Sequence, residues 1–159
     1  MRVQFDIKHS DVERFKSTCE ATIINVGKGT KEASVLAISE IISDALGQVP
    51  VDTGTLAASI YGGTFIRGDI KSASYGGIVG FGAPAAEGGI DWIIAPNDGI
   101  NPKSGLRASD YATAVHEDLT MPHRRGGKAK FLEDPVRSYN DGKLMTLLAG
   151  FWRRAISGW

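Results

Sequence analysis

Val3, Phe5 and Ile7 alternate with Arg2, Gln4, Asp6 and Lys8, a period of two that predicts a half-buried strand over residues 2–8. The period then changes. Behind Ser10, whose hydroxyl can accept from the first free amides of a helix, Val12, Phe15, Cys19, Ile23 and Val26 recur at steps of three and four. This predicts an amphipathic helix that Gly27 and Gly29 end. Thr30 opens a second helix with a wider stripe, Val35, Ile38, Ile41, Ile42, Ala45 and Leu46, closed by Gly47 and Pro50. A stripe of that width has to be covered by a sheet or another helix.

The β-like material follows at once. "LAASIYGGTFI" (56–66) reads as a strand bent or bulged at Gly62-Gly63, and "SYGGIVGFG" (74–82) as its antiparallel partner. Arg67-Gly68-Asp69 falls in the turn between them and is read as hairpin, not as an integrin-type recognition site. Residues 83–109 are too long for a plain connection, since most links run to about six residues. Their apolar island, Trp92, Ile93 and Ile94, predicts either a short edge strand on the sheet or a contact patch for a partner subunit. Asp110 can cap a short helix with Tyr111, Val115 and Leu119 on one face. Asp134 caps the last helix with Pro135 at its first position, and Val136, Leu144, Leu147, Leu148, Phe151 and Ile156 form its apolar face. Gly142 weakens that helix by about 1 kcal/mol relative to alanine, so it starts late or bends. Trp152 and Trp159 are expected to stay partly exposed. The sum is one α+β domain over 1–159: a small antiparallel sheet packed by a long amphipathic helix and a C-terminal helix, with a loop insertion at about 83–109.

Charge adds little globally, because 18 basic residues balance 18 acidic ones and leave no field to attract nucleic acid or a membrane surface. Locally the picture differs. From Met121 to Trp159 there are eight Lys or Arg, Arg124 and Arg125 among them, against three acids. Such a patch suits DNA phosphates or the acidic rim of another protein equally. Cys19, the only cysteine, rules out an internal disulfide and a cysteine-based zinc site and fits a reducing cytoplasm. No stretch approaches the ~20 apolar residues of a membrane helix, so no membrane partner is expected.

Candidate chemistry starts at "PVDTGTLAASI" (50–60), because Asp52-Thr53-Gly54 spells the catalytic tripeptide of retroviral-type aspartic proteases. Those enzymes carry it on a loop leaving a strand, so that two carboxylates can share a proton. Here the strongest helix of the chain precedes it, and Ile78-Val79-Gly80 follows too soon to be the strand beneath the active loop. A turn explains the same letters. Pro50 stops the helix, Asp52 accepts from backbone amides, and Gly54 takes a conformation other residues avoid. His116, Glu117, Asp118 and His123 lack the spacing of a zinc site. Gly27-Lys28-Gly29-Thr30 lacks the rest of a phosphate loop, and no serine sits in a nucleophile elbow. No catalytic residue, metal or cofactor is expected, and a protease using Asp52 is the enzyme-class alternative.

Two separated motifs coincide in order. Pro50, Asp52, Thr53, Gly54, Leu56 and Ser59 follow a long helix. Some fifty residues on come Tyr111, Ala112, His116 and Glu117, then Gly127, Lys130, Phe131, Leu132, Glu133 and Pro135. Together they resemble the tail-component and minor-capsid family of long-tailed bacteriophages, typified by the gene-ten product of a lambdoid coliphage. The 83–109 segment is longer than that pattern. The resemblance implies a structural virion protein without catalytic residues, located in the neck or tail and made in the host cytoplasm. It would join the head, at the portal or connector, to the tail as a neck or tail-completion component. It also implies a closed ring, often sixfold, with neighbouring connector and tail-tube or terminator proteins as partners and DNA passing through without sequence-specific binding. A minor capsid or tail-terminator protein is the alternative on the same fold. The motif residues would then be architectural: Asp52 and Gly54 set the corner, Tyr111 and Phe131 pack helix and loop on the sheet, and Lys130 and Glu133 pair or face a neighbour. Trp92, Ile93, Ile94, Arg124, Arg125 and Trp159 are the candidate subunit contacts.

Overall fold

The expected break at Gly27 and Gly29 does not occur. Helix α1 runs unbroken from His9 to Leu46, 38 residues or about 57 Å. Neither glycine has positive φ, and both sit where another element comes close. A Cβ at Gly29 would lie 3.5 Å from Phe151 Cβ, and one at Gly27 would lie 2.7 Å from the Tyr75 hydroxyl. Thr30 is therefore no cap. Its hydroxyl donates to the Val26 carbonyl (2.8 Å) and accepts from Trp152 Nε1 (2.9 Å). Thr18, Thr22, Ser34 and Ser39 also donate one turn back, which satisfies their hydroxyls without ending the helix. Ser10 lies inside the first turn, and Lys8 occupies the cap position with no side-chain bond.

The computed structural model describes residues 8–69, 73–84, 88–120 and 127–157. Of the expected features, the strand over 2–8 except Lys8, together with His123, Arg124, Arg125 and Trp159, lies outside the described residues. After α1 come a one-turn helix α2 (Thr55–Ala58), strands β1 (Ile60–Arg67), β2 (Ser74–Phe81) and β3 (Ile90–Ile94), and helices α3 (Ala108–Glu117), α4 (Glu133–Ser138) and α5 (Leu144–Ile156). The sheet is antiparallel in the order β2-β1-β3. The first strand begins four residues later than expected because Leu56 belongs to α2. Its irregularity at Gly62/Gly63 is a register slip against β3. Trp92 to Ile94 form part of that edge strand, so the 83–109 segment is not structureless. The last helix is bent, with α4 and α5 separated at Gly142, whose φ is +127°. Pro135 lies in the first turn of α4, two positions later than expected.

The buried residues of α1, Gly29, Ala33, Ala37, Ile38, Ile41, Ile42 and Ala45, all lie in its second half. Ile38, Ile42 and Ala45 pack on Ile60, Val79, Phe81 and Ile93, while Ala37 and Ile41 meet Tyr139, Val136, Leu144 and Leu147. The helix approaches the sheet closely because the sheet has glycine beneath it. A Cβ at Gly77 would come within 2.4 Å of Ile38 Cδ1, and one at Gly62 within 2.7 Å of Ile42 Cδ1. Helix α5 runs antiparallel to α1, tied to it by the Trp152 to Thr30 bond, and the segment before α5 is tied by the Tyr139 hydroxyl donating to the Glu40 carboxylate. Of the stripe expected in the first half of α1, Val12, Phe15 and Ile23 are 49%, 67% and 43% exposed, while Cys19 and Val26 are half-buried. Among the described residues no helix is long and apolar enough to cross a membrane.

Gly29 offers a direct check on the unbroken helix. The 3.5 Å approach to Phe151 is ordinary van der Waals contact, so Gly29→Ala is expected to stabilise the protein by up to about 1 kcal/mol through helix propensity. Chemical denaturation measures it. A helix ended at this glycine would instead be destabilised by the change.

Candidate functional site

The three stretches singled out by the motifs converge on one corner of the fold. Phe131, 1% exposed, is its centre. Val49 and Leu56 share its cluster, and Ala57, Phe81, Tyr111, Ala112, Val115 and Leu132 close around it. The ring meets Phe81 (centroids 5.1 Å apart) and His116 (4.9 Å) edge to face, the arrangement in which a positive ring edge meets a negative face.

The Asp-Thr-Gly turn forms one side. Gly54 has φ +80° and precedes α2, and the Thr55 N–H reaches the Thr53 hydroxyl at 3.5 Å. Asp52 faces outward, with a side chain 70% exposed, and pairs with Lys103 from the 95–107 loop. This makes its role broader than the local turn expected of it, because it ties the corner to a segment distant in sequence. Ser59, fully buried, ends the motif. Its hydroxyl donates to the Leu56 carbonyl (2.7 Å) and accepts from the Gly82 N–H (3.2 Å). Gly82 has φ +83°, and a Cβ there would lie 2.7 Å from the Ser109 backbone nitrogen.

The 95–107 loop forms the second side, and its fastening was not foreseen. Ile100 bridges Arg107, and the Asn101 N–H bonds to the Leu106 carbonyl. Helix α3 starts at Ala108, ahead of the expected Asp110, and Leu119, 76% exposed, lies beyond its end. The residue at its cap position is Arg107, whose side chain has no acceptor to offer. Asp98 replaces it from eleven positions before Ser109, accepting from both the Ser109 N–H and the Ser109 hydroxyl at 2.8 Å. Asp110, at the third helical position, accepts from the Arg107 N–H at 3.0 Å, which is half of a capping box. The Tyr111 hydroxyl faces Asn101 and Thr55, and burial pushes its pKa up.

A row of charges forms the third side. Glu117 pairs with His116 and Lys130, Lys130 also meets Glu133 at 3.1 Å, and Glu133 pairs with Arg137. Lys130 holds Glu117 below the ordinary carboxylate range, and Glu117 holds Lys130 above its own. Lys130 has φ +57°, unusual for a side-chain-bearing residue, and its N–H donates to the His116 carbonyl at 2.8 Å. These pairs are exposed, so they contribute little to stability. They link the end of α3, through Lys130, to the first turn of α4. His116 Nε2 is buried without a hydrogen-bond partner among the described residues.

Of the candidate subunit contacts, Trp92 lies half-buried against Tyr61 (5.9 Å, edge to face), Ile93 packs half-buried against the core, and Ile94 is 38% exposed. Among the described residues no group of three or more His, Cys, Asp or Glu could hold a metal ion.

Asp98 gives a pH prediction. Its bonds to Ser109, backbone first, lower its pKa from 3.8. A carboxyl depressed on folding stabilises the protein above its unfolded pKa and loses that stabilisation as pH falls through the folded value. Stability is therefore expected to fall below about pH 4, and Asp98→Asn should flatten that part of the profile. Thermal melts of both proteins from pH 2 to 6 test this, and identical slopes would refute it.

No family model, curated protein or solved structure matches the chain.

Proposed function

We propose that this chain is a structural virion protein of a tailed bacteriophage, a ring component of the neck or tail-completion assembly that joins head to tail. One observation carries the reading: the two motif stretches, far apart in sequence, meet around Phe131 in a corner whose polar groups serve as caps, turn bonds and ion pairs. That suits an architectural part. The Asp52 carboxylate faces solvent beside Lys103, between two helices, an environment unlike the shared buried proton of an aspartic protease. A closed ring needs two different patches on each subunit, and the projecting half of α1 and the body supply distinct surfaces. Deleting the gene is expected to leave filled heads and free tails unjoined, with the protein present in purified wild-type particles. Normal infectious particles without it would overturn the reading. Peptide cleavage at acid pH that disappears in Asp52→Asn would favour the protease instead.

A further inference from the structure

We propose that the groove between α1 and α5 receives the first half of α1 from a neighbouring copy, with Phe15 of the incoming helix seated over Gly150. This names the contact between subunits, and it rests on the ring reading only for the claim that the contacts close.

Helix α5 has an apolar sequence, "LMTLLAGFWRRAI", yet none of its residues is buried. Trp152 ties one side of it to Thr30. On the opposite side Lys143, Leu147, Gly150 and Arg154 follow at steps of four, three and four, the spacing of a helix-packing seam. With Glu40 and Phe151 they line a groove of about 570 Å³. Gly150 marks its point of closest approach. A glycine inside a helix lowers stability relative to alanine, and Gly27 and Gly29 in α1 each face a neighbour, Tyr75 and Phe151. Gly150 has no positive φ, and among the described residues nothing lies within 4 Å of the place its Cβ would take. A bare backbone on the seam of a helix is where a second helix can come close.

The chain carries a helix that fits this seat. Val12, Phe15 and Ile23 are exposed and Cys19 is half-buried, four positions at steps of three and four that make one apolar stripe. Laid antiparallel to α5 with Phe15 opposite Gly150, that helix brings Asp11 level with Arg154 and Glu20 to within two positions of Lys143. Both cations are exposed. The rings of Tyr139 and Phe151 hold them, at 5.5 and 4.4 Å. Two positive groups therefore flank the seat at about the separation of two carboxylates on the guest. The guest cannot come from the same copy. Helix α1 is unbroken and its Gly29 already faces Phe151, so its own Phe15 lies about 21 Å farther along the same axis. Another copy has no such restriction. Helix on one side and groove on the other make a heterologous contact, which can close into a ring.

The test uses the full chain with a photo-crosslinking phenylalanine analogue at position 15, prepared from mixed heavy- and light-isotope protein. The expected crosslinks join position 15 to Leu147–Arg154, in mixed-isotope pairs that only different copies can produce. Alongside, wild type is expected to sediment as an oligomer and Gly150→Leu as a monomer. Because leucine suits a helix better than glycine and has open space at this position, the variant should melt no lower than wild type diluted until it is monomeric. A monomeric wild type, a Gly150→Leu protein that keeps the oligomer, or one that melts well below the wild-type monomer would each overturn the proposal. Crosslinks within one copy, to other surfaces of this chain or to a different protein would do the same. If particles carry a ring of this chain while position 15 crosslinks elsewhere, the helix contact fails and the function stands. If the helix docks between copies but the protein is absent from particles, the reverse holds.

Discussion

Phe131→Ala is expected to destabilise the protein by about 3–5 kcal/mol, the range for truncating a buried aromatic ring. The side chain is 1% exposed and joins Val49 and Leu56 to α3 and the sheet, so the space left has walls from four parts of the chain that cannot all close in. Two edge-to-face partners, Phe81 and His116, lose a ring at the same time, and the buried His116 Nε2 would border a cavity. Against a typical total of about 5–15 kcal/mol, the loss should be plain as a lower denaturation midpoint with an unchanged slope. Phe131→Leu should recover much of it. A cost near 1 kcal/mol for the alanine variant would show that the corner does not organise the fold.

The second large effect compares two glycines with almost the same backbone angle. Gly54 has φ +80° and nothing within 4 Å of the place a Cβ would take, whereas Gly82 has φ +83° with Ser109 Cα and N at 2.7 Å from that place. Gly54→Ala should therefore cost only the left-handed penalty, about 1 kcal/mol. Gly82→Ala adds overpacking against backbone that cannot rotate away, for a total of about 3 kcal/mol. It would also push apart the end of β2 and the start of α3, where Ser59 and Asp98 make their bonds. Equal costs at the two positions, measured by urea denaturation, would show that Ser109 yields and that the junction is loose.

Much of this architecture was legible in residue patterns because its causes are local. The α+β class, the pairing of β1 with β2 and the break at Gly142 follow from periodicity and from glycines that must take unusual angles. The misreading of α1 has an equally local cause. Glycine ends a helix when it turns the chain to positive φ, but it also serves where a neighbour packs tightly, and Gly27 and Gly29 do the second beneath Tyr75 and Phe151. At the corner, Gly54, Leu56 and Ser59 have structural tasks that the motif's spacing suggests. The fastenings from Asp98 to Ser109 and from Lys103 to Asp52 span 11 and 51 positions, and no local signal marks them. Both involve the 95–107 loop, which the bridge between Ile100 and Arg107 closes on itself. The place of β2 at one side of the described sheet likewise follows only from the strand order.

A cryo-electron reconstruction of a tailed-phage particle, the assembly proposed for this chain, tests the central claim most directly. The account predicts density for this chain in a closed ring between head and tail, with the Asp52 corner in structural contacts or facing solvent and each copy touching its neighbours through different surfaces. Density that places two Asp52 carboxylates face to face across a substrate cleft, or particles that lack the chain altogether, would contradict it.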